Sequence, residues 1–83
     1  MDKNRLLVYL SKGHEIEFSY NEKAYFLTPD YSNQFAYFLE MEVSKGVWSR
    51  VFAGKINEIL DYKFEGNCSF NSDINKFRFD YIL

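Results

Sequence analysis

Two pairs of glutamates have the spacing that carboxylate chemistry would need. Glu15 and Glu17 occupy alternate positions of one β-prone segment, and Glu40 and Glu42 occupy alternate positions of another. Two carboxyl groups about 5 to 10 Å apart in a cleft can act as general acid and base in glycoside hydrolysis. Charges that alternate along a strand are normally just the solvated face of a sheet, and this is the interpretation we favour.

The chain has one cysteine, Cys68, and one histidine, His14, which are far apart in the sequence. A nucleophilic cysteine needs a neighbouring base, and a zinc site needs about four ligands, usually with a paired spacing. A single cysteine also cannot form an internal disulfide. We therefore expect Cys68 to be a packed thiol and His14 a loop side chain, with no catalytic, metal or cofactor site.

Motifs that would bind phosphate or present a nucleophile do not occur in the chain. A glycine-rich phosphate loop, a G-x-S-x-G elbow and kinase-like elements are all missing. The four glycines are instead scattered as turn and cap residues, at positions 13, 46, 54 and 66. The sequence therefore predicts a protein that is not an enzyme.

Charge and hydropathy narrow the classes of partner. Ten basic and twelve acidic residues give a net charge of −2, which lacks the basic excess of a general nucleic-acid binder. The apolar run Leu6–Leu10 is too short for a signal peptide or a membrane span. We expect a cytoplasmic protein that does not engage a membrane.

Helical spacing occurs twice in the chain. The first helix is predicted over about residues 3 to 12, with Asp2 as its N-cap and Gly13 just past its end. The second is predicted over about residues 54 to 63 and ends before Gly66, and Ser69 or Ser72 could cap one further turn.

Alternating patterns predict strands between and after these helices. A hairpin with Asn21-Glu22 as its loop pairs Tyr20 with Lys23, Phe18 with Tyr25, Ile16 with Leu27 and Glu17 with Phe26. A third strand, Phe35 to Val43, turns through Ser44-Lys45-Gly46 into a fourth. This register sets Val43 opposite Val47, Glu40 opposite Arg50 and Phe38 opposite Phe52. The tail, residues 77 to 83, is predicted as a fifth strand.

These elements predict a single α+β domain over residues 1–83. It has an N-terminal helix, an antiparallel sheet of four or five strands built from hairpins, and a short C-terminal helix on one sheet face. Aromatic residues make up 20% of the chain, which suits a small domain that must build its core without disulfides. The predicted core comprises Leu7, Leu10, Ile16, Phe18, Leu27, Tyr37, Leu39, Met41, Ile59 and Leu60.

The same register places four large aromatics on the other face of the sheet. They are Phe26, Phe38, Trp48 and Phe52, and around them lie Glu15, Glu17, Glu40, Glu42 and Arg50. An exposed apolar surface of this kind marks a protein interface. Two alternatives remain open: the C-terminal segment folds over the face, or the face is a homodimer contact. Stacking of single-stranded nucleic acid is disfavoured because the rim is acidic.

One pattern of residues resembles a known group of proteins. The run Leu10-x-x-Gly13-His14-Glu15-Ile16-Glu17-Phe18-x-Tyr20-Asn21-x-Lys23-x-Tyr25 is followed by Glu58-Ile59-Leu60-Asp61 and Gly66. It resembles short proteins of unknown function from low-GC Gram-positive bacteria and their prophages. The resemblance implies a mobile-element or accessory setting and the same order of elements. It assigns no functional residue.

The function expected from these features is that of a small protein-binding module. A phage or mobile-element inhibitor of a host system, such as a basic defence nuclease, would fit an acidic and compact domain. The alternatives are a small-ligand or nucleic-acid-binding domain, a homodimeric accessory protein, and a hydrolase that uses Cys68 or the carboxylates. A cleft with converging polar groups would favour the ligand-binding or enzymatic alternatives.

Overall fold

A computed structural model describes all residues from 1 to 83 and contains three short α-helices and five strands. The helices are α1 (Lys3–Ser11), α2 (Ile56–Asp61) and α3 (Phe70–Asp73). The strands are β1 (Ile16–Tyr20), β2 (Lys23–Pro29), β3 (Ala36–Ser44), β4 (Val47–Lys55) and β5 (Arg78–Ile82). Two single 3₁₀ turns flank α3, at Glu65–Asn67 and Ile74–Lys76.

The strands form one open antiparallel sheet in the order β4-β3-β2-β1-β5. All three helices contribute buried side chains to a core on one side of this sheet, which we call the inner face. The opposite side is called the outer face. The predicted α+β class is confirmed, with the tail as a fifth strand beside β1.

Helix α1 begins and ends as predicted from its flanking residues. The Asp2 carboxylate accepts a hydrogen bond from the Arg5 backbone N–H at 2.8 Å, and Gly13 has φ 78° after the helix end. Leu10 is buried, but Leu7 is 41% exposed and the expectation that it is buried was wrong. Successive helical residues are about 100° apart, so Leu7 is turned away from the sheet by the burial of Leu6.

The first hairpin has the predicted register at every pair. Its loop residues Asn21 and Glu22 have φ values of 52° and 64°. Two positive φ values define the primed turn whose twist matches that of the flanking strands. Glutamate is a strained residue at the second of these positions, where glycine is preferred.

The second hairpin keeps one predicted pair and loses two. Glu40 lies opposite Arg50 as predicted, but Ser44 rather than Val43 lies opposite Val47. The ladder shifts on either side of the correctly predicted stretch, which leaves Val43 unpaired in β3 and Val51 unpaired in β4. Such bulges move the following residues to the opposite face. Phe38 is therefore opposite Ala53, and Phe52 is opposite Leu39 on the inner face.

The core on the inner face is centred on an aromatic cluster. The Phe18 ring lies 5.2 to 6.1 Å, centroid to centroid, from the rings of Tyr25, Phe64, Phe70, Phe77 and Phe79. Four of these five rings belong to the C-terminal part of the chain, and of those four only Phe77 and Phe79 lie in the predicted tail strand. Aromatic pairs at such distances add to the free energy gained from burial. Met41, predicted as core, is only half-buried.

One buried phenol joins α1 to the sheet. The Tyr37 Oη lies 3.0 Å from the Leu10 carbonyl oxygen and 2.8 Å from the His14 carbonyl oxygen, so its O–H donates at the end of α1. Tyr37 is 1% exposed, and burial raises its pKa to about 12 because it disfavours the phenolate. The Leu10 carbonyl also accepts from the Gly13 N–H, so the phenol adds a second hydrogen bond there and ties the segment after α1 to β3.

Polar contacts hold the segment after α2 against the first hairpin. The Glu65 carboxylate accepts hydrogen bonds from Lys23 and Asn21, and the Tyr20 O–H donates to the Glu65 carbonyl. The hydrogen bond from Lys23 lowers the pKa of Glu65. Because the pair is exposed, it mainly fixes geometry and adds little stability.

The aromatic cluster predicts the effect of one truncation. We expect Phe18→Ala to lower the free energy of unfolding by about 3 to 5 kcal/mol, because it empties the centre of the cluster. Urea denaturation measures this, with Val8→Ala, at a half-exposed position of α1, as the control. A loss at Phe18 no larger than that at Val8 would contradict the description of the core.

The positive φ of Glu22 in the first hairpin predicts that two substitutions at this position differ in stability. Glu22→Gly should be more stable than Glu22→Ala by roughly 0.5 to 1 kcal/mol. The strain of an alanine with a positive φ exceeds the additional conformational entropy that a glycine loses on folding. Both variants remove the same side chain, so the difference isolates the backbone. Equal midpoints of thermal unfolding would show that position 22 does not need a positive φ.

Candidate functional site

The outer face is the one large surface of the sheet that no helix covers. A row of five side chains crosses it, because residues paired across antiparallel strands point to the same side. From β5 to β4 this row is Tyr81, Glu17, Phe26, Glu40 and Arg50. Neighbouring strands are about 4.8 Å apart, so aromatic and charged groups alternate at that interval from Tyr81 to Glu40, and a second charged group, Arg50, ends the row.

Two aromatics form the apolar centre of the outer face. The rings of Phe26 and Trp48 have their centroids 6.3 Å apart at 58°, a tilted contact. Phe26 is half-buried, and Trp48 is 40% exposed. The C-terminal segment does not enclose Trp48, because it extends the sheet as β5 at the far edge. Internal cover, one of the alternatives left open by the sequence, is therefore wrong.

Arg50 pairs with an aromatic ring rather than with the glutamate opposite. Its Cζ lies 3.7 Å from the centroid of the Phe38 ring, a cation–π contact. Glu40, although opposite Arg50 in the ladder, forms no ion pair with it. The arrangement leaves the Glu40 carboxylate without an ion pair beside Phe26, the central residue of the row.

The four predicted carboxylates have different surroundings. Glu15 accepts a hydrogen bond from the Thr28 hydroxyl at 3.3 Å, and Glu42 accepts one from the Gly46 N–H at 2.9 Å. Glu17 and Glu40 form no hydrogen bond or ion pair and lie on either side of Phe26. The Phe26 side chain separates these two carboxylates, and they lie on an open sheet face rather than in a cleft.

Phe52 does not belong to the outer face, which corrects the sequence prediction. Its ring centroid lies 4.9 Å from that of Tyr62, and the side chain packs against the inner core. The unpaired Val51 is the physical reason, since one extra residue exchanges the two faces of the strand. The remaining predicted partner-binding residues lie together on the outer face: Phe26, Phe38, Glu40, Glu42, Trp48 and Arg50.

Two residues of the outer face were missed by the sequence analysis. In β5, Tyr81 is opposite Glu17 and Arg78 is opposite Ser19, so both belong to this face. Strict alternation would put Tyr81 on the side of Phe79, but the ladder shifts at Asp80. Arg78 Nε donates to Asp80 Oδ1 at 2.8 Å, and this hydrogen bond raises the pKa of Arg78. A one-residue shift of this kind leaves no signal in residue types.

Cys68 and His14 occupy separate parts of the structure. Cys68 is buried, and its Sγ lies 3.7 Å from Lys76 Nζ. His14 lies beside the Tyr9 ring, with its Nδ1 3.1 Å from the Leu83 carbonyl oxygen. No group of three or more His, Cys, Asp and Glu side chains is arranged to hold a metal ion.

Comparison with known proteins does not assign the chain to a family. No protein-family model matches it, and neither the curated proteins nor the solved structures contain a match. Among its helices, none has the length and apolar character needed to cross a membrane. Function is therefore inferred from the residues of the outer face.

Proposed function

We propose that this protein is a non-enzymatic binding module that docks a partner protein on its outer sheet face. The observation that carries the proposal is the uncovered pair Phe26 and Trp48 at the centre of a face rimmed by charges. Interface centres are enriched in aromatic side chains, and their rims are polar and solvated. The outer face has both features on one rigid sheet.

The charges of the face favour a basic partner over a second copy of the chain. Glu17, Glu40 and Glu42 carry three negative charges against one positive charge, that of Arg50 over the Phe38 ring, since Arg78 is paired with Asp80. Two copies placed face to face would bring these carboxylates together, and like charges across an interface cost free energy. A partner with positive charge around an apolar spot would be complementary.

The same charges disfavour nucleic acid as the ligand. Proteins that stack single-stranded bases on a sheet also supply a basic groove for the phosphates. Here a phosphate backbone that followed the row of side chains would meet Glu17 and Glu40. A protein that itself binds nucleic acid through a basic groove would instead find a matching surface.

This chemistry supports the role of an inhibitor of a host system. A defence nuclease carries a basic substrate groove, and an acidic module with aromatic anchors could occupy it in place of nucleic acid. The net charge of −2 and the resemblance to prophage proteins are consistent with this role. Such a partner would be met in the cytoplasm of the host cell.

Truncation of the central aromatic tests the proposal. We expect Trp48→Ala to weaken partner binding by about tenfold or more, because anchors at an interface centre contribute about 2 kcal/mol or more. Tagged wild-type and variant proteins would be incubated with host lysate, captured proteins compared by quantitative mass spectrometry, and the dissociation constant of the enriched partner measured by calorimetry.

Tyr31→Ala is the matched control, since Tyr31 is an aromatic residue 83% exposed in the loop between β2 and β3. Thermal unfolding would verify that both variants fold. Equal capture by wild type and Trp48→Ala would contradict the proposal. A dimer that sedimentation detects in the wild type and that Trp48→Ala abolishes would replace the partner protein with a second copy.

A further inference from the structure

The outer face contains a cavity between its central tryptophan and β5. The cavity has a volume of about 330 Å³ and is bordered by Glu17, Ala24, Trp48, Arg78, Asp80 and Tyr81. Pockets for small-molecule ligands range upward from about 300 Å³, so this one has room for a single long side chain rather than a large cofactor.

We propose that this cavity binds an arginine side chain of the partner protein, with the guanidinium between Trp48 and Tyr81 and against the Glu17 carboxylate. The inference rests on the proposed function in one respect, namely that the partner is a basic protein. It adds the chemical group that is recognised and the residues that recognise it.

Two aromatic side chains at the cavity are available to a ligand. Trp48 is 40% exposed and Tyr81 is 62% exposed. A cation over the face of a tryptophan or tyrosine is attracted by the ring quadrupole, and tryptophan is the strongest of the aromatic partners. The chain itself provides no cation for either ring, since its one cation–π contact is that of Arg50 with Phe38.

The charged groups of the cavity leave one carboxylate unmatched. Arg78 and Asp80 neutralise each other through their hydrogen bond at 2.8 Å. Glu17 lies in β1, the strand between β2 and β5. Its side chain is half-buried and forms neither a hydrogen bond nor an ion pair. The cavity therefore has a net negative charge that a cationic side chain would balance, and an anionic ligand would be repelled.

Arginine fits this combination better than lysine. A guanidinium is planar, is weakly hydrated, stacks on aromatic rings and donates two parallel hydrogen bonds to a carboxylate. The ammonium of lysine is a compact and strongly hydrated charge that gains less from stacking. On the same face, Arg50 lies over the Phe38 ring at 3.7 Å, so this surface already accommodates one stacked guanidinium.

Nuclear magnetic resonance can test the site with a small probe. Trp48 is the only tryptophan, so its indole N–H gives one resolved reporter signal at the cavity. The ¹⁵N-labelled protein would be titrated with the tripeptide Gly-Arg-Gly, acetylated and amidated at its ends. The matched probes replace arginine with citrulline, which has the same shape without the charge, or with lysine.

We expect saturable shifts of the Trp48 indole and of the Glu17 and Tyr81 amides with the arginine peptide. Affinity should be at least about fivefold lower for the citrulline and lysine peptides. Glu17→Gln should weaken arginine binding by about fivefold or more, whereas Glu22→Gln, the same charge change in the first hairpin turn, should leave it unchanged.

Each other outcome overturns a defined part of the inference. Equal shifts with arginine and citrulline peptides would show that the cavity does not recognise the charge, and equal affinity for lysine would show that it accepts any cation. Unchanged binding in Glu17→Gln would remove the assigned carboxylate. If the arginine peptide does not bind while Trp48→Ala still abolishes partner capture, the cation site is wrong and the proposed interface stands.

Discussion

The packing of Phe18 against five aromatic rings is the interaction on which the rest of the structure depends. The rings of Phe64, Phe70 and Phe77 draw the chain after α2 onto the inner face, and Phe79 then aligns β5 beside β1. A domain of 83 residues supports a single hydrophobic core. Once every helix contributes to that core, no element of the chain remains to cover the outer face.

Irregularities of one residue decide which side chains the outer face presents. The unpaired Val51 turns Phe52 inward and keeps Arg50 outward, where it stacks on Phe38. The shift at Asp80 turns Tyr81 outward and completes the cavity beside Trp48. Because side chains alternate with a period of two, each such shift exchanges core and surface residues. The candidate interface thus depends on the bulges as much as on the strands.

Local patterns were sufficient to predict much of this architecture. The Asn21-Glu22 turn, with its register down to Ile16 and Leu27, and the Asp2 cap follow from interactions within a few residues. The positions of Phe52 on the inner face and of Tyr81 on the outer face could not be predicted from the sequence. Both depend on a bulge, and a bulge is stabilised by packing across the sheet rather than by the type of the residue. Phe64 and Phe70 were missed for a related reason: Phe64 precedes a single 3₁₀ turn and Phe70 lies in the four-residue helix α3, and both elements are too short to show a periodicity.

The central claim is that the outer face of the free protein is open to solvent, and collisional quenching of Trp48 fluorescence measures this directly. Acrylamide would be titrated against the native protein over a wide range of protein concentrations and against the unfolded chain. The structure predicts a quenching constant that is a substantial fraction of that of the unfolded chain, because Trp48 is 40% exposed, and the constant should not depend on protein concentration. Strong protection of Trp48 at every concentration would mean that the chain covers its own outer face, and protection that grows with concentration would mean that a second copy does.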